Sequence, residues 1–397
     1  MSKKPLDGIV VLDMTRVLAG PYCTMVLSDL GARVIKVERP LVGDDSRHFG
    51  PFKNDKSGYF LSINREKESI TVDLKKDEGK EIIRRFVKKA DVLVENFRPG
   101  TMEKLGLGYE DLKKINPRLI YAASSGFGHS GPWSEKPAYD MIVQAMGGVM
   151  SVTGWPDGKP TRVGASIGDI TAGMFTAIGV NAALYQRGIT GEGQKIDVAM
   201  LDGQVAILEN ALVRYAIDGV SPTPLGTRHP TITPFQAFKT KDSWIIVAAG
   251  NDKLWVNFCK ALKLKDLAKD KEFSTNKQRC DKYEELIKIL EPVFMDFTTD
   301  EIEKILNDHS IPCTPINKIE DVMKNPQLEA RNMFVQSKDK VMGDTIVSGN
   351  PIKMTNLPES TSKKGAPELG EHTDKILKEL LDYTEEEIEK LKKIKAV

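Results

Sequence analysis

Residues 9–38, IVVLDMTRVLAGPYCTMVLSDLGARVIKVE, place a short apolar, β-branched run at each end of a segment whose apolar residues recur every three or four positions. That pattern reads as strand, helix, strand. A helical crossover between two strands brings them side by side in parallel. The same alternation continues outward. SITVDL (69–74), DVLVENF (91–97) and RLIYAASS (118–125) read as further strands, and DEGKEIIRRFVKKA (77–90) and TMEKLGLGYEDLKKI (101–115) as half-buried helices between them. The order predicts an α/β fold with a largely parallel sheet covered by helices.

Further along, 170–187 and 198–216 read as two long helices rich in Ala and Gly, which allow close backbone packing. The Pro-rich stretch SPTPLGTRHPTITP (221–234) reads as a linker. PFQAFKTKDSWIIVAAG suggests a hairpin, helices follow to about 308, and IPCTPINKIEDV (311–322) begins a return. VMGDTIVSGNPIKM looks strand-like and the tail EHTDKILKELLDYTEEEIEKLKKI helical. The expected organisation is a large domain over 1–220, a linker at 221–234, a smaller α+β domain over 235–310, and a returning segment over 311–397.

The 397 residues carry 57 basic and 56 acidic side chains, a formal net charge of +1, so neither a nucleic-acid surface nor a polybasic membrane patch is implied. Small molecules are the expected partners. Cys23, Cys259, Cys280 and Cys313 are far apart and form no Cys-x-x-Cys, so reduced, buried thiols are expected. His48, His129, His229, His309 and His372 show no metal-ligand spacing, and no metal is expected. The opening MSKKPLDGIVVLDM goes into a strand-like run too short for a signal core, and no apolar run is expected to reach a membrane-spanning length. A cytoplasmic protein is expected.

GFGHSG (126–131) matches the dinucleotide pattern G-x-G-x-x-G after a strand, but that motif needs its glycines to open a helix. PWSEKP follows instead, and Pro137 would break a helix begun there. A loop near a ligand is the better reading. No G-x-S-x-G elbow or Walker motif occurs.

GASIGDITAGMFTAIGV (164–180) sets Asp169 after Gly168 and ahead of an apolar helical run. Asp169 can be a helix cap, or a carboxylate held ready to attack. The stretch alone leaves both open.

LDGIVVLDMTRVLAGPYCTMVLSDLGARVIKVERP, SINREKESITVDLKKDEGKEIIRRFVKKADVLVENFRPGTMEKLGLGYEDLKKINPRLIY, GHSGP, GEGQKIDVAMLDG and LGEHTDKIL closely resemble the class III CoA-transferases of the CaiB/BaiF type, over nearly the whole chain. The resemblance implies a Rossmann-like large domain, a smaller domain, and two chains interlocked in a homodimer. It implies transfer of CoA from an acyl-CoA to a free carboxylic acid, with CoA thioesters as substrates and no permanently bound cofactor. Asp169 falls where the family has its nucleophile, which forms a mixed anhydride and then an aspartyl-CoA thioester. A helix N-terminus is expected to keep its pKa low, and Gly168 to leave its approach open.

The resemblance further assigns Arg39, Val72, Asp73, Leu74, Lys75, Asn96, Phe97, Arg98 and Lys104 to CoA binding, and Leu18, Tyr139 and Asp140 to the acyl pocket. Lys104 stands where the formyl-CoA branch has an arginine, a swap that keeps charge and loses the bidentate fork. LGTRHPTITPFQAF lies where that branch has a glycine-rich closing loop, so oxalate specificity does not carry over. Leu18 and Pro137 replace a Gln and a Lys of that branch, implying a less polar pocket. Tyr139 stands where the α-methylacyl-CoA racemase branch has a catalytic histidine. Its ordinary pKa near 10 suits proton transfer at neutral pH poorly. An acyl-CoA racemase is the alternative reading, and a non-catalytic CoA-binding protein the third.

Overall fold

The computed structural model describes residues 4–357 and 359–397. Two compact units form, one from Met1–Met150, Arg162–Val213 and Pro326–Val397, the other from Ser151–Thr161 and Arg214–Asn325.

The first unit is built on a six-stranded sheet, with β1 Val10–Asp13, β2 Arg33–Glu38, β3 Glu68–Thr71, β4 Val92–Glu95, β5 Ile120–Ser125 and β6 Lys195–Ala199. Its spatial order is β3-β2-β1-β4-β5-β6, and every neighbouring pair is parallel. That is the doubly wound order, in which the chain reverses direction between β1 and β4 and opens a crevice at the carboxyl ends of the strands. The near-continuous apolar runs follow, since each strand buries both faces. Leu12, Ile35, Leu93 and Tyr121 point into one core, while Val11, Val34, Val92 and Ile120 point into the other.

Helix α1 (Ala19–Asp29) supplies Cys23 and Leu27 to the second core, and α2 (Asp77–Val87) supplies Ile82, Ile83 and Phe86 to the first. The tail helices Thr373–Glu379 and Glu385–Lys393 also pack into the first core through Ile376, Leu377, Ile388 and Leu391. Two further helices, α3 (Asp140–Met146) and α4 (Ile167–Thr190), carry Asp140 and Asp169 in their first turns. Close backbone packing is realised at Gly173, where a Cβ would come within 2.6 Å of the Ala19 carbonyl oxygen. α4 ends at Gly191, whose φ of 81° closes the helix in the left-handed conformation that glycine tolerates best.

Three expectations change. Residues 198–216 do not form one helix, because 195–199 add the sixth strand and two shorter helices, Met200–Ala206 and Ala211–Asp218, follow. Cys23 and Cys259 are buried, but Cys280 and Cys313 are only partly so, and all four are free. A run of membrane-spanning length does exist. α4 has 24 residues and a mean hydropathy of 1.3 over its most apolar window. Length and composition alone would let it span, but here it lies against α1 and the sheet, with Ala172, Ala177, Val180 and Ala183 buried.

The second unit has an antiparallel sheet of Phe235–Lys239, Trp244–Ala248 and Cys313–Pro315, the first two forming the expected hairpin. Helices Asp252–Ala261, Tyr283–Phe294 and Thr299–Asp308 cover a core around Phe238, Trp255, Phe258 and Phe294. Residues 225–234 carry no helix or strand.

Candidate active site

The carboxyl ends of β1 to β4 open into a cleft of about 260 Å³. Met14, Thr15 and Arg16 line it after β1, Glu38 and Arg39 at the end of β2, Val72, Asp73, Leu74 and Lys75 after β3, and Phe97 after β4. Six residues assigned to CoA binding thus meet in one cleft. Val72 is buried beneath it, whereas Arg39 and Lys75 are exposed, two cations at the solvent side of the cleft.

Asn96 plays another part. Its amide accepts from the Arg16 N–H at 2.9 Å and donates to the Arg16 carbonyl at 2.8 Å, so it braces the loop after β1 rather than lining the cleft. Arg98 and Lys104 are exposed outside the lining, and Lys104 ends the short helix Thr101–Lys104. Sequence reasoning missed Arg16, Glu38 and the turn Gly43–Asp45, which also form the wall. An arginine and a glycine–aspartate turn carry no signal until the sheet brings their segments together.

Buried charges hold that wall. Lys36 Nζ pairs with Asp44 Oδ2 at 2.7 Å and donates to the Thr15 carbonyl at 2.8 Å. The other oxygen of Asp44 accepts from the N–H groups of Val17 and Ser46. Glu38 grips Arg47 through both oxygens at 2.7 Å and accepts from the Asp44 N–H. Lys67 Nζ reaches Asp13 Oδ2 at 3.0 Å. Burial alone would push the Asp13 carboxyl up, but Lys67 and Lys36 reverse this and hold it well below the usual carboxylate range. Burial lowers the Lys67 ammonium to about 8, against the pull of Asp13.

Asp169 occupies the third residue of α4. It is not the helix cap. The flanking residue Ser166 makes no side-chain cap bond, and the N–H of Gly168 donates to Asp140 Oδ1 at 2.8 Å. Asp140, on the first turn of α3, is buried, and its other oxygen accepts from Gln144 Nε2 at 2.8 Å. Gln144 is fully buried and its Oε1 accepts the N–H of Val163 at 2.9 Å. Segment 163–168 is thereby fastened to α3.

The expected low pKa of Asp169 is corrected. Burial first, and the neighbouring carboxylate of Asp140 second, push it up to about 7. A helix N-terminus favours a carboxylate by about 1 kcal/mol or less in most settings, whereas burial and a like charge can move a pKa by several units. Gly168 is also not there to leave space. A Cβ on it would come within 2.6 Å of Val143 Cγ2 and 3.0 Å of Asp140 Oδ1, so the glycine lets α3 approach α4.

Tyr59, on the helix Gly58–Asn64, was not foreseen. Burial, then Asp169, Asp44 and Asp140, push its phenol up to about 12. Leu18 is buried and clusters with Ile63 and Tyr59, consistent with an apolar wall. Tyr139 is 75% exposed and makes no side-chain cap bond to α3. The GFGHSG loop opens no helix, since the next one begins at Asp140.

Residues 6–373 match the sequence profile of CoA-transferase family III. An acetyl-CoA:oxalate CoA-transferase of Acetobacter aceti is 43% identical over 378 residues, covering 95% of this chain and 96% of that protein. A succinyl-CoA:glutarate CoA-transferase of Mus musculus is 42% identical over 391 residues, covering 98% and 89%. The crystal structure of a CaiB/BaiF family protein from Brucella suis superposes with a TM-score of 0.84 at 39% identity, covering 96% of this chain and all of that one.

The raised pKa of Asp169 makes a stability prediction. Between the unfolded carboxyl value of about 4 and the folded value of about 7, the folded state binds the extra proton, so this group's contribution is present at low pH and lost as pH rises. Asp169→Asn has no charge to bury. Its melting temperature should exceed the wild type's at pH 8, and the gap should close by pH 4. A gap of the same size at both values would show that Asp169 titrates normally.

Proposed function

The chain belongs to CoA-transferase family III and is a CoA-transferase, and on that premise we propose that it moves CoA from an acyl-CoA thioester to a small carboxylic acid with Asp169 as the nucleophile. The observation that carries this is the place of Asp169 on the first turn of α4, directly after Gly168, whose N–H is held by Asp140, with its carboxyl pushed up to about 7 by burial and by Asp140. A carboxylate is a weak nucleophile, and removing its water and raising its basicity both strengthen it.

An oxygen of ionised Asp169 attacks the acyl carbonyl, the carbon–sulfur bond breaks, and the thiolate leaves a mixed anhydride. The thiolate then attacks the aspartyl carbonyl and releases the donor acid as its carboxylate, forming an aspartyl-CoA thioester. The acceptor carboxylate attacks that carbonyl and expels the thiolate. Attack of the thiolate on the acceptor's acyl carbon frees Asp169 and yields the new acyl-CoA. No net proton is taken up. Asp140 holds the Gly168 N–H and fixes the start of α4, so the nucleophile is positioned before substrate arrives.

In the same reading the cleft after β1 to β4 holds the nucleotide end of CoA. Arg39, Lys75 and Arg16 face its phosphates, and Val72 to Leu74 with Phe97 receive the adenine. Arg98 and Lys104 would add charge at the rim. The names of the relatives, with oxalate and glutarate as acids, favour small dicarboxylic substrates.

The functional unit in this reading is an interlocked homodimer. Met174, Ile178, Tyr185 and Ile189 form an exposed stripe along α4, with Met141, Ile142 and Met146 exposed on α3, an apolar area that a second copy would cover. Sedimentation should give a dimer that persists on dilution, because such interfaces are obligate. A folded monomer at low concentration would count against it.

Asp169→Asn should fold normally and lose about a thousandfold or more in turnover, since the covalent route is removed. In the wild type, kcat/KM for the acyl-CoA should rise with pH up to a plateau above about 7 as Asp169 ionises. Hydroxylamine added with an acyl-CoA should modify the peptide carrying Asp169. A label on another carboxylate, or near-normal activity of the Asn variant, would return Asp169 to a structural role.

Racemisation is the competing chemistry. With Tyr139 in solvent rather than a histidine at that position, no solvent deuterium should enter the α-carbon of a 2-methylacyl-CoA. Rapid wash-in without acyl exchange would reverse the ranking.

A further inference from the structure

Arg162 stands seven positions before Asp169. Its guanidinium comes within 3.8 Å of Asp140 Oδ2, and its side chain is 43% exposed. Among the described residues it is the one basic side chain paired with either carboxylate of the acid pair. The pairing is loose, since charge-assisted N–H···O bonds close to about 2.7–2.9 Å. Asp140 does not depend on it, because its two oxygens already accept from the Gly168 N–H and from Gln144. The backbone beside Arg162 is fixed, with the Val163 N–H held by the same buried Gln144. An anchored backbone thus carries a cationic fork to Asp140, the neighbour of Asp169, and leaves most of its donors unspent.

The reaction gives that fork a purpose. The first half-reaction releases a carboxylate beside Asp140 and Asp169, the second brings one in, and a dicarboxylic acid carries two. Once Asp169 is acylated it carries no charge, so Asp140 is the remaining carboxylate of the pair opposing Arg162's attraction for an incoming anion. The reacting carboxylate must stay free to attack. The second one needs a cation at a fixed distance, and guanidinium geometry matches a carboxylate through two parallel bonds.

We propose that Arg162 binds the non-reacting carboxylate of a dicarboxylic substrate and so selects dicarboxylic over monocarboxylic acids. This rests on the reading of Asp169 as the nucleophile.

The test compares glutarate with valerate, acids of equal chain length, as acceptors from acetyl-CoA or succinyl-CoA. Wild type, Arg162→Gln and Arg162→Lys are assayed, and hydroxylamine trapping at Asp169 is run on each. The wild type should prefer glutarate. Arg162→Gln should shrink that preference about 10- to 100-fold, the range for losing charged hydrogen bonds, chiefly through KM for glutarate. Arg162→Lys should fall between, having charge without the fork. An undiminished preference in Arg162→Gln overturns the proposal. So does an equal loss for both acids, which would mean that Arg162 acts through Asp140 on the nucleophile. A wild type that yields the trapped adduct yet does not favour glutarate overturns the arginine's role alone. One that yields no adduct from either thioester refutes the nucleophile reading and the role together.

Discussion

Lys36 and Lys67 are both fully buried, and each is neutralised by a carboxylate from a different segment, Asp44 and Asp13. Such pairs add little net stability compared with a well-packed apolar core, but removing one member strands the other at a cost of about 3–5 kcal/mol. Their effect here is to dictate position. Asp13 ends β1, Lys36 lies on β2, and Asp44 begins the turn that walls the cleft. One connected set of charges therefore fixes three segments at the carboxyl end of the sheet. Without it the strands could still pair, but the loops after them would have no single arrangement.

A second carboxylate pair uses the opposite logic. Asp13 is held ionised by two lysines, whereas Asp169 is partly buried with a like charge for a neighbour. Both are carboxylates close to helices, yet one is pinned low and the other pushed to about 7. The difference lies in what surrounds each. The first serves architecture, and the second is the nucleophile of the proposed reaction. Asp140 joins the two tasks, since one oxygen closes the start of α4 and the other reaches back through Gln144 to the segment carrying Arg162 and Val163.

Much of the sheet was legible in the sequence. RVIKVE predicts β2 to the residue because its β-branched Val34, Ile35 and Val37 form a short apolar run, although the buried Lys36 and Glu38 take their partners only from the folded chain. The sixth strand was missed for the complementary reason. Lys195–Ala199 lies at the sheet edge, is mostly half-buried, and carries Lys195 and Asp197. Its apolar residues run straight into the helical spacing of the next segment, so periodicity alone assigned part of it to a helix. Asn96 illustrates a different limit. The sequence places it after β4 among ligand-facing positions, but only the folded loop shows both polar ends of its amide spent on Arg16.

The first five strands and the helices between them, the family and the candidate nucleophile followed from the sequence, because periodicity and motif spacing are local and survive without coordinates. What the tertiary structure decided was every quantity that depends on neighbours distant in the chain. It set the direction of the Asp169 shift, since burial and Asp140 outweigh a helix end. It showed that Gly168 serves helix packing, that the Tyr59 phenol feels the charges of Asp169 and Asp140, and that Arg162 sits beside Asp140 with donors to spare. A charge's environment is made by segments that the chain keeps apart and only the fold brings together.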